Sequence, residues 1–162
     1  MTKNEYYELV MEAFRPSETL IRMVPADKLD WRPGPTFMSL GQLIHHLSEP
    51  IGGGLRCLVT NQWPFTPEQM EESMKLENLP SCSVETALER LEKDKAILRE
   101  VLDSLSEEDF AQKPVSTPWG WKGKLESVAI LFREHFTNHK MQLFTYLKLL
   151  GLPVNTATLY GA

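Results

Sequence analysis

His46, His135 and His139, three of only four histidines in the chain, are the residues whose type and spacing could do chemistry. Neutral imidazole is a ligand for borderline divalent ions, and a His-x-x-x-His pair on one helix with a distant third histidine could fill three positions around one ion. That leaves room for water or substrate, as catalytic zinc sites do. The motif is weaker than that of a metalloprotease, because Phe136 stands where a Glu would follow the first histidine.

Where the imidazoles point follows from helix phase, since a helix turns about 100° per residue. With His135 as the origin, Val128, Phe132, His139, Leu143, Tyr146 and Leu150 fall within roughly 80° of it. Arg133, Lys140, Met141 and Lys148 fall on the opposite side. Both histidines therefore sit in the apolar stripe of Glu126–Leu150, where an unpaired polar group would cost roughly 1–3 kcal/mol. They need a partner: an ion, or a carbonyl or hydroxyl within the core.

The same test separates His45 from His46 in the segment Ser39–Asn61. Leu40, Leu43, Leu47, Ile51 and Leu58 form a stripe centred about 110° from His46 and nearly opposite His45. His46 can reach a cleft between helices, whereas His45 is expected on the surface. Pro50 has no N–H for the carbonyl of His46, and Gly52-Gly53-Gly54 weakens a helix by about 1 kcal/mol per glycine. Either the helix kinks beside His46, or it ends near Glu49 and restarts around Leu55. Cys57 follows His46 by eleven residues, roughly 16 Å along a continuous helix, and reads as a small core residue. Cys82 lies in a loop-like stretch.

Composition bounds the function class. The 162 residues, 42% of them hydrophobic, can bury one sizeable core, so a single domain over 1–162 is expected. A formal net charge of -5 and a pI near 5.4 disfavour a nucleic-acid partner. Signal-peptide and lipidation patterns are not evident at the N-terminus, and no apolar run approaches the ~20 residues of a membrane span. A soluble, cytoplasmic protein is expected, without membrane or nucleic-acid partners. The two cysteines form neither a disulfide framework nor a zinc knuckle.

Four main helices and no convincing strand must position the histidines. The first runs from about Lys3 to Met23, as one kinked helix or two short ones, with Pro16 interrupting and Ser17 a candidate new cap. Ser39 is a plausible cap for the second, after the proline-rich stretch Pro25–Thr36 that carries Trp31. The long connection Gln62–Ser81 has room for a helical turn near Glu68–Lys75. The third helix starts after Ser83, with Leu88, Leu91, Lys95, Leu98, Leu102 and Leu105 at helical intervals. Its charges Glu89, Arg90, Glu92, Lys93, Asp94 and Glu100 read as a solvated face. Ser106–Lys122, carrying Trp119 and Trp121, leads to the last helix, which Gly151 caps and Pro153 stops. The predicted fold is all-α: a four-helix bundle with long crossover connections.

The run Ser39-Leu-Gly-Gln-Leu-Ile-His-His46-Leu, then His135-x-x-x-His139-Lys-Met-Gln142-Leu and a closing Tyr-Leu-Lys-Leu-Leu-Gly151, resembles the DinB/YfiT-like superfamily of metal-dependent enzymes. The order and spacing of these short motifs over nearly the whole length carry the likeness. It implies a four-helix bundle, a homodimer, and a divalent metal, zinc or nickel, held by His46, His135 and His139. Relatives include mycothiol- or bacillithiol-dependent enzymes such as maleylpyruvate isomerase and thiol S-transferases. The family often has His-His-Arg-Gly-Gln-Leu where this chain has Asn138-His139-Lys140-Met141-Gln142-Leu143; the ligand set survives, and pocket shape and substrate differ.

The reading is thus a divalent-metal-dependent enzyme, a thiol S-transferase or hydrolase, using a low-molecular-weight thiol and an electrophilic small molecule. Glu49, one turn from His46, is a candidate general base or hydrogen-bond acceptor behind a ligand, or a solvated acid. Gln142 and Tyr146 share the histidine face and could line a pocket, and Trp31 and Trp119 could wall it. The competing reading is a non-catalytic metal-binding or dimeric stress-associated bundle. A third is a bundle without metal, its histidines hydrogen-bonded in the core.

Overall fold

The apolar stripes close on one another as a four-helix bundle whose second rod is broken in two. A computed structural model describes residues 1–161. The elements are α1 (Lys3–Arg22), α2 (Leu40–Leu47), α3 (Gly52–Thr60), α4 (Pro67–Ser73), α5 (Val84–Ser104), α6 (Glu107–Gln112), β1 (Pro114–Ser116), β2 (Lys122–Lys124), α7 (Leu125–Leu149) and α8 (Thr156–Tyr160). α1 packs on α5 and α7, and the α2/α3 rod packs on the same two helices, so these two rods stand at opposite corners. Two connections must therefore cross the bundle: α1 to α2, and α5 to α7.

Helix starts follow the capping chemistry of the sequence. Ser39 and Gln42 form a capping box at α2, and Ser83 accepts from Thr86 N–H at α5. At the far end, Gly151 adopts φ +78° after α7, a left-handed conformation that costs glycine little. The helical turn expected near Glu68–Lys75 is α4.

The structure decides two open alternatives and corrects other expectations. α1 runs unbroken through Pro16, and Ser17 does not cap a new helix: its hydroxyl donates to Ala13 O at 2.8 Å. Burial of Ala13, Phe14, Ser17, Leu20 and Ile21 along one face holds the rod together past the missing N–H. The α2/α3 segment ends and restarts rather than bending, with α2 stopping at Leu47 and α3 resuming at Gly52. A short antiparallel hairpin, Val115 opposite Gly123, fills part of the final crossover where no strand was expected. Three residues are too few to show alternation.

Asp94 overturns the reading of the α5 charges as uniformly solvated. It is 0% exposed, and its carboxylate accepts from Ile51 N (3.2 Å), Gly52 N (2.9 Å) and Gly53 N (2.8 Å), the orphan N–H groups that open α3. Three residues after Leu91 and four before Leu98, it lies on the buried stripe, a signal that spacing carried. Gly52 is required by this approach, because a Cβ there would stand 2.2 Å from the backbone O of Asp94. Lys140 likewise is buried on the side of α7 away from the histidines. Its Nζ donates to Leu159 O at 2.9 Å and lies 5.5 Å from the Tyr160 ring centre, tying α7 to α8. Among the described residues, no helix is long and apolar enough to cross a membrane.

Candidate metal centre

The break between α2 and α3 leaves His46 in the last turn of α2, facing the middle of α7. Gln42, one turn earlier, anchors α2: its Nε2 donates to Leu76 O and Leu79 O of the following connection. On α7, His135 and His139 share one face, as their spacing requires.

The three imidazoles meet. Each offers a ligand nitrogen, and these atoms lie within 4.8 Å of one another. His46 Nε2 and His135 Nε2 are 2.9 Å apart. The rings stand nearly perpendicular in pairs, with interplanar angles of 81°, 84° and 76°. Edge-on packing of this kind converges nitrogens on a common point instead of stacking ring faces.

The tautomer of His139 can be derived from its neighbours. Tyr146 OH donates to the carbonyl of Met38 at 3.2 Å, so it accepts from Gln142 Nε2 at 3.0 Å. Gln142 must then present Oε1 to His139 Nδ1, at 2.9 Å, and only a protonated Nδ1 can donate to it. The lone pair of His139 is thereby assigned to Nε2, the ligand-competent nitrogen. Gln142 and Tyr146 stand behind a histidine and orient it.

Electrostatics keep the imidazoles neutral. Burial pushes the pKa of His46 down to about 4, with further lowering by His139, His135 and His45. Burial, then the charge of His139, lowers that of His135. Burial lowers that of His139 against the opposing hydrogen bond to Gln142. Neutral imidazoles, that of His139 with its lone pair on Nε2, are the form that ligates metal, so the residues present fit a divalent ion.

The other candidates are distributed around this cluster. Glu49 is exposed and turned away toward α5, where its carboxylate pairs with Arg90, which also donates to Ser48 Oγ at 2.9 Å. It is not in the metal-capable group. Trp31 packs on Tyr146, ring centres 5.6 Å apart, beyond His139 on α7. Trp119 packs at the other end, 6.1 Å from Phe132, so the two tryptophans flank the histidine stretch and do not face one another. His45 is half-buried, not free on the surface. Cys57 and Cys82 are free and half-buried, and burial raises both thiol pKa values.

The model of the DinB superfamily matches residues 12–142. A crystal structure assigned to the DinB family, from Exiguobacterium sibiricum, matches with a TM-score of 0.70 at 21% identity, covering 96% of each chain. At that identity the likeness speaks for the fold. No curated protein matches the chain.

Proposed function

The chain belongs to the DinB superfamily, and from that membership we propose that it is a divalent-metal-dependent thiol S-transferase using His46, His135 and His139 as ligands. The observation that carries the reading is the convergence of three neutral imidazoles, with the Nε2 of His139 directed by Gln142. Zinc or nickel suits an all-imidazole site. When bound, the ion supplies Lewis acidity at neutral pH with positions left open for substrate.

Transfer fits the surroundings better than hydrolysis. Among the described residues no carboxylate belongs to the cluster, and Glu49 is paired with Arg90, so the cluster offers no carboxylate base for water. A thiol needs less help, because it ionises far more readily than water. The thiol comes from outside the protein in this reading, since neither Cys57 nor Cys82 belongs to the histidine cluster. In the reaction, the thiol proton passes to solvent, a C–S bond forms at the acceptor, and the acceptor's leaving group departs with its electron pair. Gln142 and Tyr146 hold His139. By the family resemblance, the working form is a homodimer.

The test is elemental analysis of tag-free protein purified without chelator, followed by a screen of low-molecular-weight thiols against electrophiles. Near-stoichiometric zinc, nickel or another divalent metal, lost in His135→Ala and His139→Ala, with coupled consumption of thiol and electrophile, is the expected result. Metal without turnover would leave the non-catalytic reading; no metal after incubation with divalent ions would overturn both.

A further inference from the structure

A groove of about 690 Å³ opens where the end of α3 meets the β1–β2 hairpin. Its walls include Leu58 and Val59 of α3, Val115 of β1, and three cations, Lys113, Lys122 and Lys124. The hairpin meets α7 beside the groove, where a Cβ on Gly123 would stand 3.7 Å from Val128 Cγ2. Val128 precedes His135 by roughly 10 Å along the helix axis, so the groove is not the metal centre.

Its charge is what folding leaves unexplained. The chain carries 22 Asp and Glu against 17 Lys and Arg, yet no carboxylate lines the groove. Among the described residues none of its three lysines has an ion-pair partner. Lys122 and Lys124 stand two apart on β2 and share a face, where like charges repel. Their cross-strand partners, Ser116 and Pro114, bring no acid. Lys113 Nζ donates to Val59 O at 2.9 Å, at the end of α3, and an ammonium group has two further N–H bonds to give. The rest of the wall is apolar: Leu58 is buried, and Val59 and Val115 are half-buried.

We propose that this groove is a second ligand site and that its ligand is a small amphiphilic anion, with a carboxylate or phosphate head held by Lys113, Lys122 and Lys124 and an apolar body laid against Leu58, Val59 and Val115. The head supplies the negative charge that the fold withholds, and the body covers apolar wall that water still reaches. Neither half suffices, because an exposed ion pair contributes little in water and the apolar wall is small. A volume of this size suits a small molecule.

The probes are decanoate and decyl phosphate, each below its micellar concentration, titrated calorimetrically at low ionic strength. Saturable one-site binding of either is expected, with about a fourfold loss of affinity per methylene removed. Acetate and inorganic phosphate should not bind over the same range. The double variant Lys122→Gln/Lys124→Gln should bind about tenfold more weakly with its circular dichroism and Tm retained, and Lys148→Gln on α7 should bind as the parent does. Metal-free and metal-loaded protein should bind alike. Equal affinity for decanol or for decyltrimethylammonium, or unchanged affinity in the double variant, would overturn the assignment. So would binding to vesicles of anionic phospholipid without binding of either soluble anion, which would make the lysines a membrane-facing patch.

Discussion

The Nδ1–H of His139 donates to Gln142 Oε1 at 2.9 Å, and this bond decides which nitrogen of His139 is free. Gln142 is itself held by Tyr146, whose hydroxyl is held by Met38 O. Gln142→Ala should lower divalent-metal affinity by about 10- to 100-fold, the usual effect of removing the partner of a ligating histidine. Tyr146→Phe should cost less, because Gln142 keeps its place but not its direction. Competition with a chromophoric chelator measures both, and unchanged affinity in Gln142→Ala would refute the role.

Asp94 bonds across 41 to 43 residues to Gly53, Gly52 and Ile51. Asp94→Ala leaves three N–H groups at the start of α3 without acceptors and should cost roughly 2–4 kcal/mol. Urea denaturation reads the loss. A change under about 0.5 kcal/mol, the range of an ordinary surface substitution, would contradict this account.

Gly52 and Gly54 should differ in their tolerance of alanine. At Gly54 the new methyl meets the Phe132 ring, which can shift at a cost of about 1–3 kcal/mol. At Gly52 it meets the backbone O of Asp94, and helix α5 cannot yield as a side chain can. Gly52→Ala should therefore be the more destabilising, and Phe132→Leu should relieve Gly54→Ala alone. Thermal unfolding of the single and double variants checks both statements.

The three histidines make metal-free protein acid-sensitive. Their pKa values are depressed in the folded state, that of His46 to about 4 from an ordinary 6.5. Above pH 6.5 both states carry neutral imidazoles, so nothing is lost. As pH falls below that, the unfolded chain takes up protons that the folded one resists, and stability declines until the folded pKa is passed. The decline for chelated protein should lie between pH 6.5 and about 4, and His46→Gln should make it shallower. A flat profile over that window would show that the imidazoles are not shielded as described.

Cys57 and Cys82 should react slowly with iodoacetamide at neutral pH, because burial raises both thiols above the ordinary value of 9.0. Reaction should accelerate only as pH rises past that value. Mass spectrometry of the alkylated protein reads each site, and Cys57→Ser with Cys82→Ser should leave S-transfer intact.

The chain's own pattern determined the bundle, because apolar residues at helical spacing and caps at Ser39, Ser83 and Gly151 act within a few residues of one another. It also placed His135 and His139 on one face, since four residues make about one turn. Tertiary structure decided the rest. That His46 meets them follows from the packing of α2 on α7, and the restart of the second rod after Pro50 is capped by Asp94, more than forty residues away. Asp94 reads with the solvated charges although its spacing lies on the buried stripe, and the burial of Lys140, opposite the histidines, follows from α8 packing there, which local phase cannot say. The pairing of Glu49 with Arg90, the tautomer of His139 and the packing of Trp119 and Trp121 on Phe132, with Trp63 against Trp119, are likewise set by contacts between segments, which carry no periodicity to read.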